Sequence, residues 1–270
     1  MTPIQIVVLA LVQAITEFLP ISSSGHLILI PRLLGWPDQG LSFDIATNTG
    51  TLLAVLLYFR RDLAAVVRDV LGSPAVWRPE APEGARLGWH LALGTLPAAV
   101  VGLAAHHWIS TAGRSPVLIA IDLIVYGLLL GLADRIARER RDELSLTATE
   151  ALLVGTAQAL ALVPGTSRSG ITMTALLLLG LTRPAAARFS FLLAVPIGIL
   201  AEGKDLLDHL LGNGFEAGAL GQMALAVAVS AVAGYGVIAW LLAWLRKRSL
   251  RLFVVYRVAF GIALLVWALR

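Results

Sequence analysis

Six long apolar runs constrain the fold of this chain more than any other feature of the sequence. They cover residues 41–59, 89–108, 116–133, 189–211, 220–245 and 252–269. Each is long enough for a helix to cross a bilayer. Only 14% of the residues are charged, against roughly 25% in soluble domains. The sequence therefore predicts an all-α polytopic membrane protein, a helical bundle in a single domain over residues 1–270.

Two further apolar stretches are too short to cross, because a polar turn interrupts each. Residues 4–34 are broken at Pro20-Ile21-Ser22-Ser23-Ser24-Gly25-His26, and residues 151–181 at Pro164-Gly165-Thr166-Ser167-Arg168-Ser169-Gly170. Irregular backbone at membrane depth is tolerated only where protein covers it or where it lines a wet cavity. Both stretches are therefore predicted to be re-entrant helix hairpins.

The arginines predict how these segments are oriented. The clusters lie in three loops, 60–88, 134–145 and 246–251. The positive-inside rule places these loops in the cytoplasm and the nearly uncharged loops 109–115 and 212–219 outside. The net charge of +4 thus reflects loop arginines and does not indicate a nucleic-acid surface.

With this orientation the two hairpins enter from opposite faces. The result is an inverted-topology repeat with units of about residues 1–133 and 149–270. The charged run 138–143 is expected to be a solvated loop, and His106, His107 and Trp108 are expected to form an interfacial belt.

Glu17 is the first candidate for chemistry. It lies four residues after Gln13, so the two share a helix face. A carboxylate at membrane depth is costly unless it meets water, a cation or a metal. Glu17 is thus a candidate general acid, base or metal ligand, with a structural hydrogen bond to a neighbouring turn as the alternative.

The first turn places hydroxyls beside an imidazole. His26 can take a proton from Ser23, act as a nucleophile itself or protonate a leaving group. Ser22 and Ser24 could contribute to phosphate binding. Alternatively, the serines cap a helix and His26 is a spectator.

Arg168 in the second turn carries the strongest signal for anion binding. Its guanidinium fork suits phosphate oxygens, and Ser167, Ser169 and Thr172 add hydroxyls. Phosphoryl transfer mainly requires positioning and neutralisation of charge. An idle polar loop between two spans is the alternative.

Three more polar residues are candidates for supporting roles. Asp44 is expected near the mouth of the first hairpin, and Asn48, one turn on, could line a cavity. Asp122 lies inside an apolar run and should face the interior, although its partner cannot be assigned from sequence. The sequence contains no Gly-rich nucleotide loop and no zinc-ligand spacing.

Two motifs resemble the bacterial undecaprenyl-diphosphate phosphatases, also called bacitracin-resistance proteins. They are Gln13-Ala-Ile-Thr-Glu17-Phe-Leu-Pro20-Ile-Ser-Ser23-Ser-Gly25-His26 and Pro164-Gly165-Thr166-Ser167-Arg168-Ser169-Gly170-Ile171-Thr172. The resemblance is essentially full length. It implies an enzyme of the bacterial inner membrane, open to the periplasm, that hydrolyses undecaprenyl diphosphate to undecaprenyl phosphate and inorganic phosphate. This activity recycles the lipid carrier for peptidoglycan synthesis and confers bacitracin resistance.

The resemblance also implies roles for individual residues. Glu17 has metal or proton duties, Ser23 or His26 is the nucleophile or its base, and Arg168 holds the phosphate. A divalent cation, magnesium or calcium, is the expected cofactor. The family often has Glu where this chain has Gln13, which leaves Glu17 as the sole carboxylate of that pair. The expected partners are a polyprenyl diphosphate and the bilayer, with no nucleic acid and with a homodimer as a candidate assembly.

A polyprenyl-phosphate transporter or flippase is the main alternative, because inverted repeats with broken helices are typical of secondary transporters. The Ser and His residues near Glu17 favour hydrolysis, since a carrier needs no nucleophile. Membership of the acid-phosphatase-like lipid phosphatases is disfavoured, because no His follows His209 to complete their late Arg and His pair.

Overall fold

The computed structural model describes residues 1–72, 81–111, 115–211 and 219–270, and of residues 105–111, 209–210 and 219 it describes the backbone only. Within these ranges the chain forms eleven α-helices. They are α1 (Pro3–Phe18), α2 (Ser23–Leu34), α3 (Leu41–Tyr58), α4 (Arg60–Gly72), α5 (Glu83–Thr111), α6 (Pro116–Ile136), α7 (Ala148–Ala159), α8 (Arg168–Leu178), α9 (Arg183–Leu211), α10 (Ala219–Leu245) and α11 (Arg251–Ala268). The expected interfacial belt and most of the two outer loops fall outside the described side chains.

The prediction of an all-α polytopic membrane protein is confirmed. Six helices are long and apolar enough to cross a bilayer, and they match the six apolar runs. Their crossing segments are Leu41–Tyr58, Glu83–Ala104, Pro116–Ile136, Arg183–Asp208, Leu220–Leu245 and Arg251–Ala268. The re-entrant character of the two hairpins, their inverted repeat and the homodimer stay predictions.

The prediction of a loop over residues 60–88 is wrong for much of that range. Its first part is helix α4, and α5 begins already at Glu83. Helix α4 packs along α5, and its Leu63 and Val66 contact the main apolar core. These apolar residues are three apart and so share one helix face, a pattern that the arginines around them obscure.

The run 138–143 is only in part the solvated loop that the sequence suggested, because alternate residues are exposed and the others form ion pairs. Arg141 donates to both carboxylate oxygens of Glu150, at 2.7 and 2.9 Å. This hydrogen bonding lowers the pKa of Glu150 from its usual value to about 2, so the pair is ionised at neutral pH. Glu139 pairs with Arg183, and Glu143 with Arg188, each at 2.6 Å. The partners lie outside the run, which is why its own sequence gave no sign of them.

These ion pairs bring the arginine-rich segments to one face. Arg188 also pairs with Asp62 of α4 at 2.6 Å. Asp134 accepts from Arg183 at 2.6 Å and from the backbone N–H of Leu250 at 3.2 Å, which adds the connection between α10 and α11. We call this surface the arginine face. It contains parts of all three loops that the charge distribution assigned to one side.

Small residues let the helices approach closely, as is usual between membrane helices. A Cβ on Gly50 of α3 would lie 2.6 Å from the carbonyl oxygen of Val227 of α10. A Cβ on Gly155 of α7 would collide with the carbonyl of Gly94 in α5. Helix α10 thereby holds α3, which contributes Asn48 to the polar site, and α5 holds α7, which leads into the second turn.

Candidate active site

Glu17, at the end of α1, joins the two polar turns. Its Oε1 accepts a hydrogen bond from Arg168 Nη2 at 2.6 Å, and its Oε2 accepts one from Ser23 Oγ at 2.7 Å. Phe18, the next residue, contacts Phe191 of α9 edge to face with ring centroids 5.5 Å apart, which anchors this end of α1. The structure thus brings together three of the four predicted catalytic residues.

The two turns reach Glu17 through the same backbone conformation. Ser22 has a φ of 73° and Ser167 a φ of 72°. Non-glycine residues rarely adopt this left-handed region, and the strain costs about 1–3 kcal/mol. In each turn, the next residue begins a helix and directs its side chain to Glu17.

Gln13 and Asn48 extend this polar cluster, and their supporting roles stay predictions. Gln13 Nε2 donates to Asn48 Oδ1 at 2.6 Å and to Glu17 Oε2 at 3.2 Å. The Gln13 side chain is 2% exposed. Its Oε1 is buried without a hydrogen-bond partner among the described residues.

Two of the predicted phosphate-binding serines have partners within the protein. Ser169 Oγ lies within donating distance of the carbonyl oxygens of Glu17, at 3.2 Å, and Leu19, at 3.1 Å. Ser167 Oγ accepts from the Gly170 N–H at 3.2 Å and caps α8. These contacts fasten the turns together, and the phosphate-binding role stays a prediction.

Thr172, the third hydroxyl residue predicted near Arg168, is buried further along α8. Its Oγ1 donates to the Arg168 carbonyl at 2.8 Å and shares a hydrogen bond of 2.7 Å with Ser190. It stabilises the helix that carries Arg168.

The two serines on either side of Ser23 also have hydrogen-bond partners within the protein. The hydroxyls of Ser22 and Ser24 share a hydrogen bond of 3.3 Å, and Ser24 Oγ accepts from the Gly165 N–H at 3.4 Å. Ser24 thereby links the first turn to the second.

His26 lies apart from Ser23 and Glu17. Its Nδ1 lies 2.7 Å from the Ser22 carbonyl oxygen, and its Nε2 lies 2.7 Å from the Tyr256 hydroxyl. Its ring stacks on Phe260 with centroids 4.6 Å apart and is 5% exposed. Both ring nitrogens are thus engaged in contacts that orient the ring.

Two cavities meet at this cluster. The inner cavity, of about 180 Å³, is lined by Glu17, Ser23, Asn48 and Arg168 together with apolar residues of α3 and α9. The outer cavity, of about 290 Å³, shares Ser23 and Asn48 and continues past Asp44. Asp44 accepts a hydrogen bond from Gln39 at 3.1 Å. It lines the outer cavity and not the inner one.

Glu202 of α9 was not among the residues predicted from the sequence. Glu202 lines the inner cavity beside Glu17 and Arg168, with Asn48 within hydrogen-bonding reach. An acidic residue within an apolar crossing helix was the available signal. Lys204, Asp205 and Asp208 follow it closely, so Glu202 does not stand out as a single charge in this run.

Arg257 of α11, which is 0% exposed, was also not predicted from the sequence. Its guanidinium donates to the carbonyl oxygens of Pro20 at 3.2 Å, Gly165 at 3.0 Å and Thr166 at 2.9 Å, and so ties the two turns together. It also donates to the backbone carbonyl of Asp122 at 3.4 Å. The side chain of Asp122 lies near Arg257 and Thr166, and its Oδ2 is buried without a hydrogen-bond partner among the described residues. An arginine within the last apolar run was the signal.

Comparison with known proteins identifies the family. A model of the bacitracin resistance protein family, BacA, matches residues 6–263. The chain belongs to this family.

Several relatives named undecaprenyl-diphosphatase match almost the whole chain. An undecaprenyl-diphosphatase of Magnetococcus marinus is 52% identical over 260 residues, covering 95% of this chain and 96% of the relative. One of Trichlorobacter lovleyi is 53% identical over 260 residues, covering 95% and 94%. The undecaprenyl-diphosphatase 2 of Stutzerimonas stutzeri is 50% identical over 266 residues, covering 97% of each.

Both polar turns lie inside the matched BacA region. The names of these relatives describe hydrolases, and they do not favour the transporter alternative.

Proposed function

We propose that this chain hydrolyses undecaprenyl diphosphate to undecaprenyl phosphate and inorganic phosphate. The reaction recycles the lipid carrier of peptidoglycan synthesis and confers bacitracin resistance. Relatives named undecaprenyl-diphosphatase over almost the whole chain support this function. The observation that carries it is the Glu17 carboxylate, which holds the Ser23 hydroxyl and the Arg168 guanidinium at one point inside an apolar bundle.

Arg168 is placed to hold the terminal phosphate. Its side chain is 27% exposed and lines the inner cavity, so an anion can reach it. A guanidinium fork binds phosphate oxygens through two parallel hydrogen bonds and neutralises charge that develops during transfer. The incoming phosphate competes with Glu17 for this fork and leaves the carboxylate free to accept a proton.

Ser23 is placed to attack the terminal phosphorus. Its proton passes to Glu17 Oε2, 2.7 Å away, as the Oγ–P bond forms and the bond to the bridging oxygen breaks. Undecaprenyl phosphate leaves. Water then attacks the phosphoserine, the Oγ–P bond breaks, and Glu17 returns its proton to Ser23 Oγ. The protons of that water leave with inorganic phosphate.

His26 was the alternative nucleophile or base, and its surroundings support a positioning role instead. Its two ring nitrogens contact the Ser22 carbonyl and the Tyr256 hydroxyl, while the hydrogen bond of Ser23 goes to Glu17. His26 orients the turn from which Ser23 emerges.

The oxygen atoms around Glu17 fit a divalent cation. Gln13 Oε1 is buried beside Glu17 with no hydrogen-bond partner in the described part of the chain. The described residues contain no group of three or more His, Cys, Asp or Glu that could hold a metal. Magnesium usually needs only one or two carboxylates besides substrate phosphates and water. Glu17 and Gln13 would hold magnesium or calcium, and the bound ion would neutralise charge on the phosphate oxygens.

We place the protein in the bacterial inner membrane with the outer cavity open to the periplasm. The arginine face is then cytoplasmic, as the positive-inside rule requires. Helix α3 begins at Leu41, next to outer-cavity residues, and ends at Tyr58, next to the α4 residues of the arginine face. At 1.5 Å per residue this helix spans about 27 Å, so the outer cavity lies toward the opposite face.

The test is phosphate release from undecaprenyl diphosphate by the purified protein in detergent. We expect release that depends on magnesium or calcium and stops with a chelator. Glu17→Gln should lower kcat by about 10²–10⁴-fold, because the base for Ser23 is lost.

A Glu83→Gln variant is the matched control, since Glu83 is exposed at the start of α5. Its turnover should equal that of the original chain. Absence of phosphate release from protein with a normal thermal unfolding transition would refute the proposed function.

A further inference from the structure

Glu202 places a second carboxylate in the inner cavity. It belongs to α9, outside the two motifs, yet it lines the same cavity as Glu17, Ser23 and Arg168. Its Oε2 is buried without a hydrogen-bond partner among the described residues. A buried carboxylate oxygen without a partner is expensive, so this position needs a proton, a cation or a metal.

The charges that line the inner cavity do not balance. Glu17 and Glu202 contribute two carboxylates, and Arg168 contributes one guanidinium that already pairs with Glu17. A diphosphate brings further negative charge into this space. With both carboxylates ionised, like charges would oppose substrate entry unless a cation entered with it.

The polar side chains near Glu202 supply oxygen atoms of the kind that bind metal ions. Asn48 accepts a hydrogen bond from Gln13 at 2.6 Å and lies within hydrogen-bonding reach of Glu202. Gln13, 2% exposed, also contacts Glu17 and keeps an unpartnered Oε1 among the described residues. Carboxylate and amide oxygens are the ligands that magnesium and calcium prefer.

We propose that Glu202 is the second carboxylate ligand of the divalent cation, with Glu17 as the first. The inference rests on the proposed function, because the cation in question is the one that phosphate hydrolysis uses. The ion would lie between α1 and α9, so it would bridge a helix of the first hairpin and the crossing helix that follows the second. In a purely structural alternative, Glu202 is protonated and only hydrogen-bonds to Asn48.

Cation binding without substrate separates these two roles. Manganese(II) is the probe, because its free ion can be counted by its paramagnetic resonance signal and magnesium can compete with it. Glu202→Gln keeps the shape of the side chain and removes the charge. We expect it to weaken manganese binding by at least about tenfold. Glu17→Gln should weaken it similarly, and Glu83→Gln should leave it unchanged.

Phosphate release supplies the second readout. Glu202→Gln should need a higher magnesium concentration for half-maximal release, with partial recovery when magnesium is raised. Unaltered manganese affinity in Glu202→Gln would overturn the proposal whatever its turnover. If this variant does not fold, Glu202→Asp decides, since a shortened carboxylate at a ligand position must also weaken binding.

The outcomes also separate this inference from the proposed function. Binding that depends on Glu202 in a protein that releases no phosphate would refute the phosphatase and retain the cation site. Phosphate release that a chelator does not affect, with no manganese bound, would retain the phosphatase and refute the site.

Discussion

The turn of the first hairpin and the turn of the second begin from the same backbone conformation and present different chemistry. In the first, Ser22 is left-handed and Ser23 donates to Glu17. In the second, Ser167 is left-handed and Arg168 donates to Glu17. One backbone geometry thus supplies a hydroxyl from one side and a guanidinium from the other, and a single carboxylate receives both.

The comparison shows which positions in such a turn reach the site. The residue directly after the left-handed serine points to Glu17 in both turns. The residue four positions after that serine is His26 in one and Ile171 in the other, and both are buried in packing contacts. The equivalence with an apolar residue is a further reason to treat His26 as a positioning residue.

Arg168→Ala should have the largest effect on activity. It removes the anion holder of the second turn, and we expect kcat for phosphate release to fall by about 10³-fold or more. Arg168→Lys keeps the charge but not the fork, so it should recover only part of the loss.

Arg251→Ala is the control for this comparison, because Arg251 is an exposed arginine at the start of α11. It should leave kcat unchanged. Near-normal turnover of Arg168→Ala would contradict the assignment of the two turns to separate tasks.

Ser23→Ala and Ser24→Ala test the first turn with neighbouring residues of the same type. Ser23→Ala should lower kcat by about 10²–10⁴-fold if it removes the attacking hydroxyl, a loss like that of an acid–base group. Ser24→Ala removes a hydrogen bond of about 0.5–1.5 kcal/mol and should cost about tenfold or less. Equal losses in initial-rate measurements would contradict the difference between the two positions.

Gly170→Ala and Gly25→Ala compare the third position after the left-handed serine. A Cβ on Gly170 would lie 2.7 Å from Arg257 Nη1, whereas the nearest atom to a Cβ on Gly25 is 3.4 Å away on Ile119. Overpacking of a buried site costs about 1–3 kcal/mol. Gly170→Ala should therefore lower the thermal unfolding midpoint in detergent more than Gly25→Ala does. The reverse order would show that Arg257 does not fix the second turn.

Tyr256→Phe should have the smallest effect. It removes the hydroxyl that contacts His26 Nε2, a hydrogen bond of about 0.5–1.5 kcal/mol, and keeps the stacked ring. We expect a loss in kcat of about tenfold or less, with an unchanged pH profile. A shifted profile would show that His26 exchanges protons during the reaction. It would contradict the conclusion that His26, like Ile171, only packs and positions the turn.

The six crossing helices could be predicted because hydropathy is a property of neighbouring residues, summed over one stretch of chain. Helix α4 and the ion pairs of residues 138–143 could not. The apolar face of α4 is short and its partner is α5, and the partners of Glu139 and Glu143 are Arg183 and Arg188. Arginines obscure the apolar face of α4, and ion pairs between residues distant in the chain leave no periodic pattern in the sequence.

Some polar residues of the site could likewise be predicted from the sequence, and others could not. Glu17, Ser23 and Arg168 were predictable as candidates, because charge and hydroxyls stand out in apolar surroundings. Their contact was not, since Glu17 and Arg168 are 151 positions apart. Glu202 and Arg257 belong to helices without a motif, and only the packing of α9 and α11 around the turns reveals them.

The sequence by itself determined that the chain is a helical membrane protein with two polar turns, because hydropathy and helix-breaking residues act locally. Only the tertiary structure decided that Ser23 rather than His26 contacts Glu17, and that a second carboxylate lines the cavity. The residue directly after each left-handed serine points its side chain to Glu17, and the residue four positions after that serine is buried in packing contacts. Which side chains then meet depends on helices that are distant in the chain, because burying their polar groups requires partners in space.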